Sequence, residues 1–239
     1  MSRIVLIRHD TDPEDDRIVT FLQDNGIEPE IVRPFLGEQL GKIDSSVRAS
    51  VIYGGSYPVY EEERHSFLYS ENYWIEGCLK FDIPLIGICQ GAQSIAHVLG
   101  AYAGPLSSNE CEFGYYQINA TDAGKTYLPD NLVVAESHFQ EFQLPEGAEL
   151  LASSDLFGQQ AMKYGNNTFA FQFHPEVTPN GFKRWQKRNY GHYSMPGAQT
   201  IEKQNVLMEK YDPIQHQWFM QFQAKFFKDI INDDGSLNF

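Results

Sequence analysis

The stretch "IPLIGICQGAQSIAHVLG", residues 83–100, constrains the fold more than any other part of the chain. A short apolar run with no polar interruption reads as a strand buried on both faces, and such strands belong to parallel sheets covered by helices on two sides. The run ends in Gly87-Ile88-Cys89-Gln90-Gly91 and passes without a linker into a helical pattern. A tight strand-to-helix elbow needs glycines on either side of its central residue, because the turn crowds the neighbours and strains the residue between them. Cys89 is then either a nucleophile at a helix N-terminus, where free N–H groups and the macrodipole favour a thiolate, or a small buried residue ending a core strand.

The preceding sequence repeats the same alternation. Residues 3–9, 28–35 and 49–55 read as further strands, and 63–82 as a helix before the fourth strand. After the first strand, Asp12 is the expected N-cap of a helix with Pro13 at its first position and Gly26 as its stop. Strands alternating with helices predict an α/β fold, a mainly parallel central sheet flanked by helices. Ligands should gather beyond the carboxyl ends of the strands, at Tyr53-Gly54-Gly55 and Gly87-Ile88-Cys89. Beyond Gly100 the period shortens to two over 115–121, 132–139, 159–165 and 168–177, which predicts antiparallel or mixed additions to the sheet. From Pro179 the chain turns helical, with a loop around 190–199. The last helix is expected to start at Asp212 as cap and Pro213, with Ile214, Trp218, Phe222, Phe226 and Ile230 as its apolar stripe.

Composition excludes several classes. A formal net charge of −14 argues against nucleic-acid partners and basic membrane patches, both of which need clustered Lys and Arg. The opening "MSRIVLIRHD" is too short in apolar residues for a signal peptide or a membrane span, which points to the cytoplasm. Three cysteines without CxxC spacing indicate neither a disulfide framework nor a zinc site, and no metal or cofactor is expected. Cys78 reads as a core thiol and Cys111 as a thiol with no base nearby. His97 reads as a packed histidine, and His9 as a residue lining or rimming the strand ends. Glu61-Glu62-Glu63 reads as a solvated helix start.

The segment "FAFQFHPEV" decides between the two readings of Cys89. On an extended strand Phe169, Phe171 and Phe173 face one way while Gln172, His174 and Glu176 face the other. The phenylalanines anchor the segment, and an imidazole beside a carboxylate is the base-plus-orienter arrangement that activates a thiol. Pro175 marks the end of the strand.

These residues carry a resemblance. "GICQGAQ" and "FQFHPEV" together are similar to the Gly-x-Cys-x-Gly-x-Gln elbow and His-Pro-Glu segment of class I glutamine amidotransferases, whose fold is flavodoxin-like. "IYGGSYPVY", "CEFGYYQI" and "LPEGAELLASS" extend the likeness over nearly the whole chain, toward stand-alone relatives of the guanosine monophosphate synthetase glutaminase domain. The resemblance implies one domain over residues 1–239, a catalytic core at 1–178 with a helical extension at 179–239 packed on it. It implies a Cys89-His174-Glu176 triad cleaving the γ-carboxamide of glutamine or a γ-glutamyl amide through a thioester. The backbone N–H groups of Gly55 and Gln90 would form the oxyanion hole, and Gln93, Gly54, His138 and Phe139 would face the substrate. Many relatives carry Trp-His-Gly-Asp where this chain reads Ser137-His138-Phe139-Gln140, so the substrate's amino-acid end meets different side chains here.

Three functions stay open on these residues: a glutaminase supplying ammonia to a synthetase partner, a γ-glutamyl peptidase or hydrolase acting alone, and a non-catalytic regulatory protein on the same scaffold. The intact Cys-His-Glu set disfavours the last. The α/β-hydrolases also use a Gly-x-nucleophile-x-Gly elbow, but their acid precedes the histidine, whereas Glu176 follows His174.

Overall fold

The computed structural model describes residues 2–188, 192–232 and 236–237. In chain order the elements are β1 (Arg3–Ile7), α1 (Arg17–Asp24), β2 (Glu30–Val32), β3 (Val47–Ile52), α2 (Phe67–Lys80), β4 (Leu85–Ile88), α3 (Gln90–Val98), β5 (Ala103–Pro105), β6 (Glu112–Gln117), β7 (Asn119–Ala120), β8 (Val133–His138), β9 (Gln140–Phe142), β10 (Ala148–Ser153), β11 (Ala161–Tyr164), β12 (Thr168–Phe171), α4 (Pro179–Arg188) and α5 (Ile201–Phe226).

The central sheet runs β2-β1-β3-β4-β12-β11-β10-β7. Its first five strands are mutually parallel, and β11, β10 and β7 continue it antiparallel. The apolar runs are two-sided, as strands covered on both faces must be. In β1, Ile4 and Leu6 enter one cluster with α1, α5 and the β12 phenylalanines, while Val5 and Ile7 enter another with Trp74 and Ile75 of α2 and Ile95 of α3. Two antiparallel pairs, β5–β9 and β6–β8, stand outside the main sheet. Phe113, Tyr115 and Ala135 of the second pair pack with Phe182 of α4 and Met208 of α5.

Three expected boundaries move. The first helix starts at Arg17, not after Asp12, because Asp16 is the residue whose carboxylate accepts from the Ile18 and Val19 N–H groups. Asp12 is instead bound by Arg188 from α4. The last helix begins at Ile201, capped by the Thr200 hydroxyl, and carries Pro213 in its interior. Proline there removes one helical bond and costs about 3 kcal/mol. Tertiary anchors on either side offset it: Asp212 binds Arg17 at 2.6 Å and Tyr115 Oη at 3.2 Å, and Gln215 accepts from Ala135 N at 2.6 Å. Ile214, placed on the buried stripe by its spacing, is half exposed, and Phe219 takes its place in the core. The Glu61-Glu62-Glu63 run lies before α2 rather than on it, and Glu62 accepts from Asn72 and pairs with His97 at 2.8 Å. Of the loop expected around 190–199, residues 190 and 191 lie outside the described residues.

Candidate active site

The elbow forms as its glycines require. Cys89 sits between β4 and α3 at φ 51° and ψ −107°, a left-handed conformation that is strained for a side chain larger than glycine. Its N–H donates to Phe171 O at 2.8 Å, so the strain is held by the neighbouring strand. Gly91 lets the first turn of α3 ride directly over the end of β3, where a methyl group would run into the carbonyl oxygen of Ile52. Cys89 opens a helix of nine residues whose first N–H groups have no helical partner.

β4 lies between β3 and β12, and its register with β12 is parallel. Regular pairing stops at Phe171, but the alternation continues: Phe173 points into the core and His174 toward Cys89. The Cys89 thiol lines the same pocket as His174 and donates to Ser137 O at 3.9 Å, and His174 Nδ1 lies 2.8 Å from Glu176 Oε1. Burial opposes a charge on His174, but the negative charges of Glu176 and Cys89 outweigh it and hold the imidazole well above its ordinary pKa. The ring also meets the edge of Trp185, centroids 4.7 Å apart.

Residues distant in sequence pin this segment. His174 N donates to Ala135 O at 2.8 Å, Arg17 N to Glu176 O at 2.9 Å, and Arg17 Nη1 to Pro175 O at 3.0 Å. Gln215 of α5 donates to His174 O at 3.2 Å. Arg17, Trp185 and Gln215 were not singled out by sequence. Buried glutamines on α5, at 204, 215 and 223, are the nearest thing to a signal, since a polar side chain on the covered face of a helix needs a partner.

A pocket of about 320 Å³ opens over Cys89, lined by Gly54, Gly55, Gln93, Phe139, His174 and Trp185 among others. Every sequence-selected site residue except Gln90 lines it. Gln90 starts α3, its side-chain oxygen accepting from Tyr57 N at 2.8 Å. Gln93 donates to Gln172 Oε1 at 3.2 Å and to Gln140 O at 3.4 Å, so its carboxamide is already oriented. Phe139 is 39% exposed on the pocket wall.

His138 reaches the wall from a buried cluster. Its Nδ1 donates to Gln140 O at 2.9 Å, while Nε2 lies 3.3 Å from Glu112 and 3.2 Å from Glu136. Burial works against the imidazolium, yet the two carboxylates push its pKa up to about 10. Burial and the nearby Glu112 charge raise Glu136 to about 7. Among the described residues these three are the grouping with metal-like spacing, ligand atoms within 4.8 Å. Ser154 Oγ at 2.7 Å and Gln160 Nε2 at 2.6 Å already donate to Glu112, and the imidazolium balances charge where a cation would sit. Cys78 and Cys111 are buried thiols whose pKa values burial raises to about 12 and about 11.

The profile of the class I glutamine amidotransferase family matches residues 17–189, most of the chain, including Cys89, His174 and Glu176. The chain belongs to this family. The amidotransferase fold is equally evident in solved structures. A glutamine amidotransferase from Thermotoga maritima superposes with a TM-score of 0.82 at 27% identity, covering 94% of this chain and 97% of its own. Among curated relatives, the glutamine-hydrolysing GMP synthase of Campylobacter lari is 32% identical over 72% of this chain and 33% of its own length. In Methanosphaera stadtmanae the similar protein is one subunit of a glutamine-hydrolysing GMP synthase, 39% identical over 46% of this chain and 62% of its own. This amidotransferase chain thus spans about a third of the Campylobacter relative. Among its described residues no helix is long and apolar enough to cross a membrane.

Proposed function

We propose that this chain hydrolyses a γ-glutamyl amide bond, that of glutamine first, through Cys89, His174 and Glu176. The observation that carries the reading is the strained Cys89 thiol at the head of α3, in one pocket with a histidine that Glu176 holds at 2.8 Å. His174 takes the thiol proton and holds it as an imidazolium while the thiolate sulfur attacks the γ-carbonyl carbon. The carbonyl oxygen becomes an oxyanion facing the N–H groups of Gly55 and Gln90, donors that need no reorganisation and are worth a few kcal/mol each. When the tetrahedral species collapses, the C–N bond breaks and the leaving nitrogen takes the proton from His174. Water, deprotonated by His174, then cleaves the γ-glutamyl thioester, releasing glutamate and restoring the thiol. Gln93 and Gly54 are assigned to the glutamyl moiety, with His138 and Phe139 at the pocket wall.

Residues 1–178 are read as the catalytic core and 179–239 as an extension of the same domain. The support is that Gln215 of α5 binds the His174 segment directly. The Methanosphaera relative, part of a GMP synthase, favours a partner synthetase as the destination of the ammonia. A second reading, a γ-glutamyl hydrolase acting alone, is favoured by the exposed Phe139 ring, a surface on which a larger leaving amine can pack.

The test is glutamate release by the purified chain from glutamine and a panel of γ-glutamyl peptides and amines, with Cys89→Ala as control. Turnover of peptides in preference to glutamine supports the stand-alone hydrolase. Weak glutaminase activity that rises when a synthetase is added supports the ammonia-supplying role. Turnover that survives Cys89→Ala overturns the mechanism.

A further inference from the structure

Behind the Gly54–Gly55 peptide lies a buried ion pair for which the mechanism above has no role. His9 follows β1, and its side chain and that of Glu71 on α2 are both fully buried. His9 Nε2 lies 2.9 Å and 3.1 Å from the two Glu71 oxygens. Nδ1 lies 3.2 Å from Tyr53 O and 3.3 Å from Gly54 O. Every hydrogen-bond neighbour of the ring is an acceptor, so both nitrogens carry protons and the ring is an imidazolium. Burial works against that charge, but the Glu71 carboxylate overcomes it and holds His9 above the ordinary histidine range.

This arrangement fixes the backbone next to the nucleophile. In a trans peptide the N–H points away from the C=O, so two successive carbonyls drawn toward His9 turn the N–H groups of Gly54 and Gly55 to the opposite side. Neither N–H has an acceptor among the described residues. The peptide stands against the reacting groups: a methyl on Gly54 would lie 3.2 Å from Cys89 Cβ and 2.8 Å from His174 Cε1.

We propose that His9, backed by Glu71, is a positioning residue for the oxyanion site: it locks the Gly54–Gly55 peptide with the Gly55 N–H facing the developing oxyanion and polarises that amide from its carbonyl end. The proposal rests on Gly55 being an oxyanion donor in the reading above. The chain of contacts runs from the Glu71 carboxylate through the imidazolium and the Gly54 carbonyl to the Gly55 N–H. Hydrogen bonds linked this way strengthen one another. A charge fixed before reaction costs nothing to reorganise when the substrate acquires its own.

Three variants separate this role from simple packing. His9→Phe fills the space beside Tyr57 and Phe67 without a donor, His9→Asn keeps a donor near Nδ1 without the charge, and Glu71→Gln keeps the imidazole and removes its counter-charge. The first readout is kcat against KM. The second compares Cys89 alkylation by a glutamine-like chloroketone, whose carbonyl must enter the oxyanion site, with alkylation by iodoacetamide, which displaces iodide directly and needs no such site. Losing or misplacing one oxyanion donor costs about 100-fold, so His9→Phe should lower kcat and the chloroketone rate by about that factor. KM and the iodoacetamide rate should stay within about threefold, with His9→Asn and Glu71→Gln intermediate. Equal losses in both alkylation rates, or a chloroketone rate within threefold of wild type, overturn the proposal. A wild-type Cys89 no more reactive toward the chloroketone than toward iodoacetamide overturns the underlying oxyanion reading instead, and this proposal with it.

Discussion

Gln215, midway along the C-terminal helix, donates from Nε2 to the carbonyl oxygen of His174 at 3.2 Å and accepts from the Ala135 N–H at 2.6 Å. One buried side chain thus ties α5 to β8 and to the segment that carries the imidazole. Gln215→Leu leaves a buried N–H and a buried C=O without this partner, at a cost of about 2–4 kcal/mol. The variant is expected to melt at lower temperature and to lose kcat more than it gains KM, measured on the folded fraction below the transition.

Glu176 keeps His174 protonated and in one orientation. Because its charge raises the imidazole pKa, Glu176→Gln removes that contribution, and the alkaline limb of the kcat/KM profile should move to lower pH. The rate should also fall by roughly 10³–10⁴-fold, as when a triad carboxylate becomes an amide and the imidazole is offered the wrong tautomer. An unmoved alkaline limb would separate Glu176 from the titration.

Gly54 leaves no room for a side chain. In Gly54→Ala the new methyl would lie 2.8 Å from His174 Cε1, and the ring cannot retreat easily because Glu176 holds one edge and Trp185 another. The expected result is a folded protein with kcat reduced about 100-fold, the scale set by ångström-level misplacement of reacting groups. Circular dichroism and steady-state kinetics on one preparation check it.

The Glu112–Glu136–His138 cluster makes stability depend on pH. Glu136 titrates near 7 in the folded chain, above the ordinary 4.5, so its contribution is fully present below 4.5 and is lost as pH rises through 7. His138, raised from 6.5 to about 10, contributes fully below 6.5 and loses that contribution as pH rises through 10. Glu136→Gln mimics the protonated acid. Its Tm, relative to wild type, should therefore climb in the variant's favour between pH 4.5 and about 7 and stay level below that range.

The parallel core was legible because its strands are apolar on both faces and its elbow needs glycine at fixed places. The link from Cys89 to His174 and Glu176 was legible because side-chain alternation continued through Phe173, even though regular pairing ends at Phe171. Local rules failed where distant residues set the outcome. Asp12 and Pro13 look like a helix start, but Arg188 draws Asp12 away and Asp16 caps α1. Pro213 looks like another start, yet the Arg17–Asp212 pair and Gln215 carry α5 through it. The three-residue strands β5 and β9 are too short to show a period. The His9–Glu71 pair spans 62 residues and exists only once β1 and α2 meet.

The most direct test is to mix the protein with a γ-glutamyl substrate, quench in acid within the first turnover and weigh the intact chain. The mechanism predicts a single added γ-glutamyl group, mapped to Cys89, labile to hydroxylamine and missing in Cys89→Ala. Glutamate released from the wild type with no adduct on Cys89, or an adduct on another residue, would contradict it.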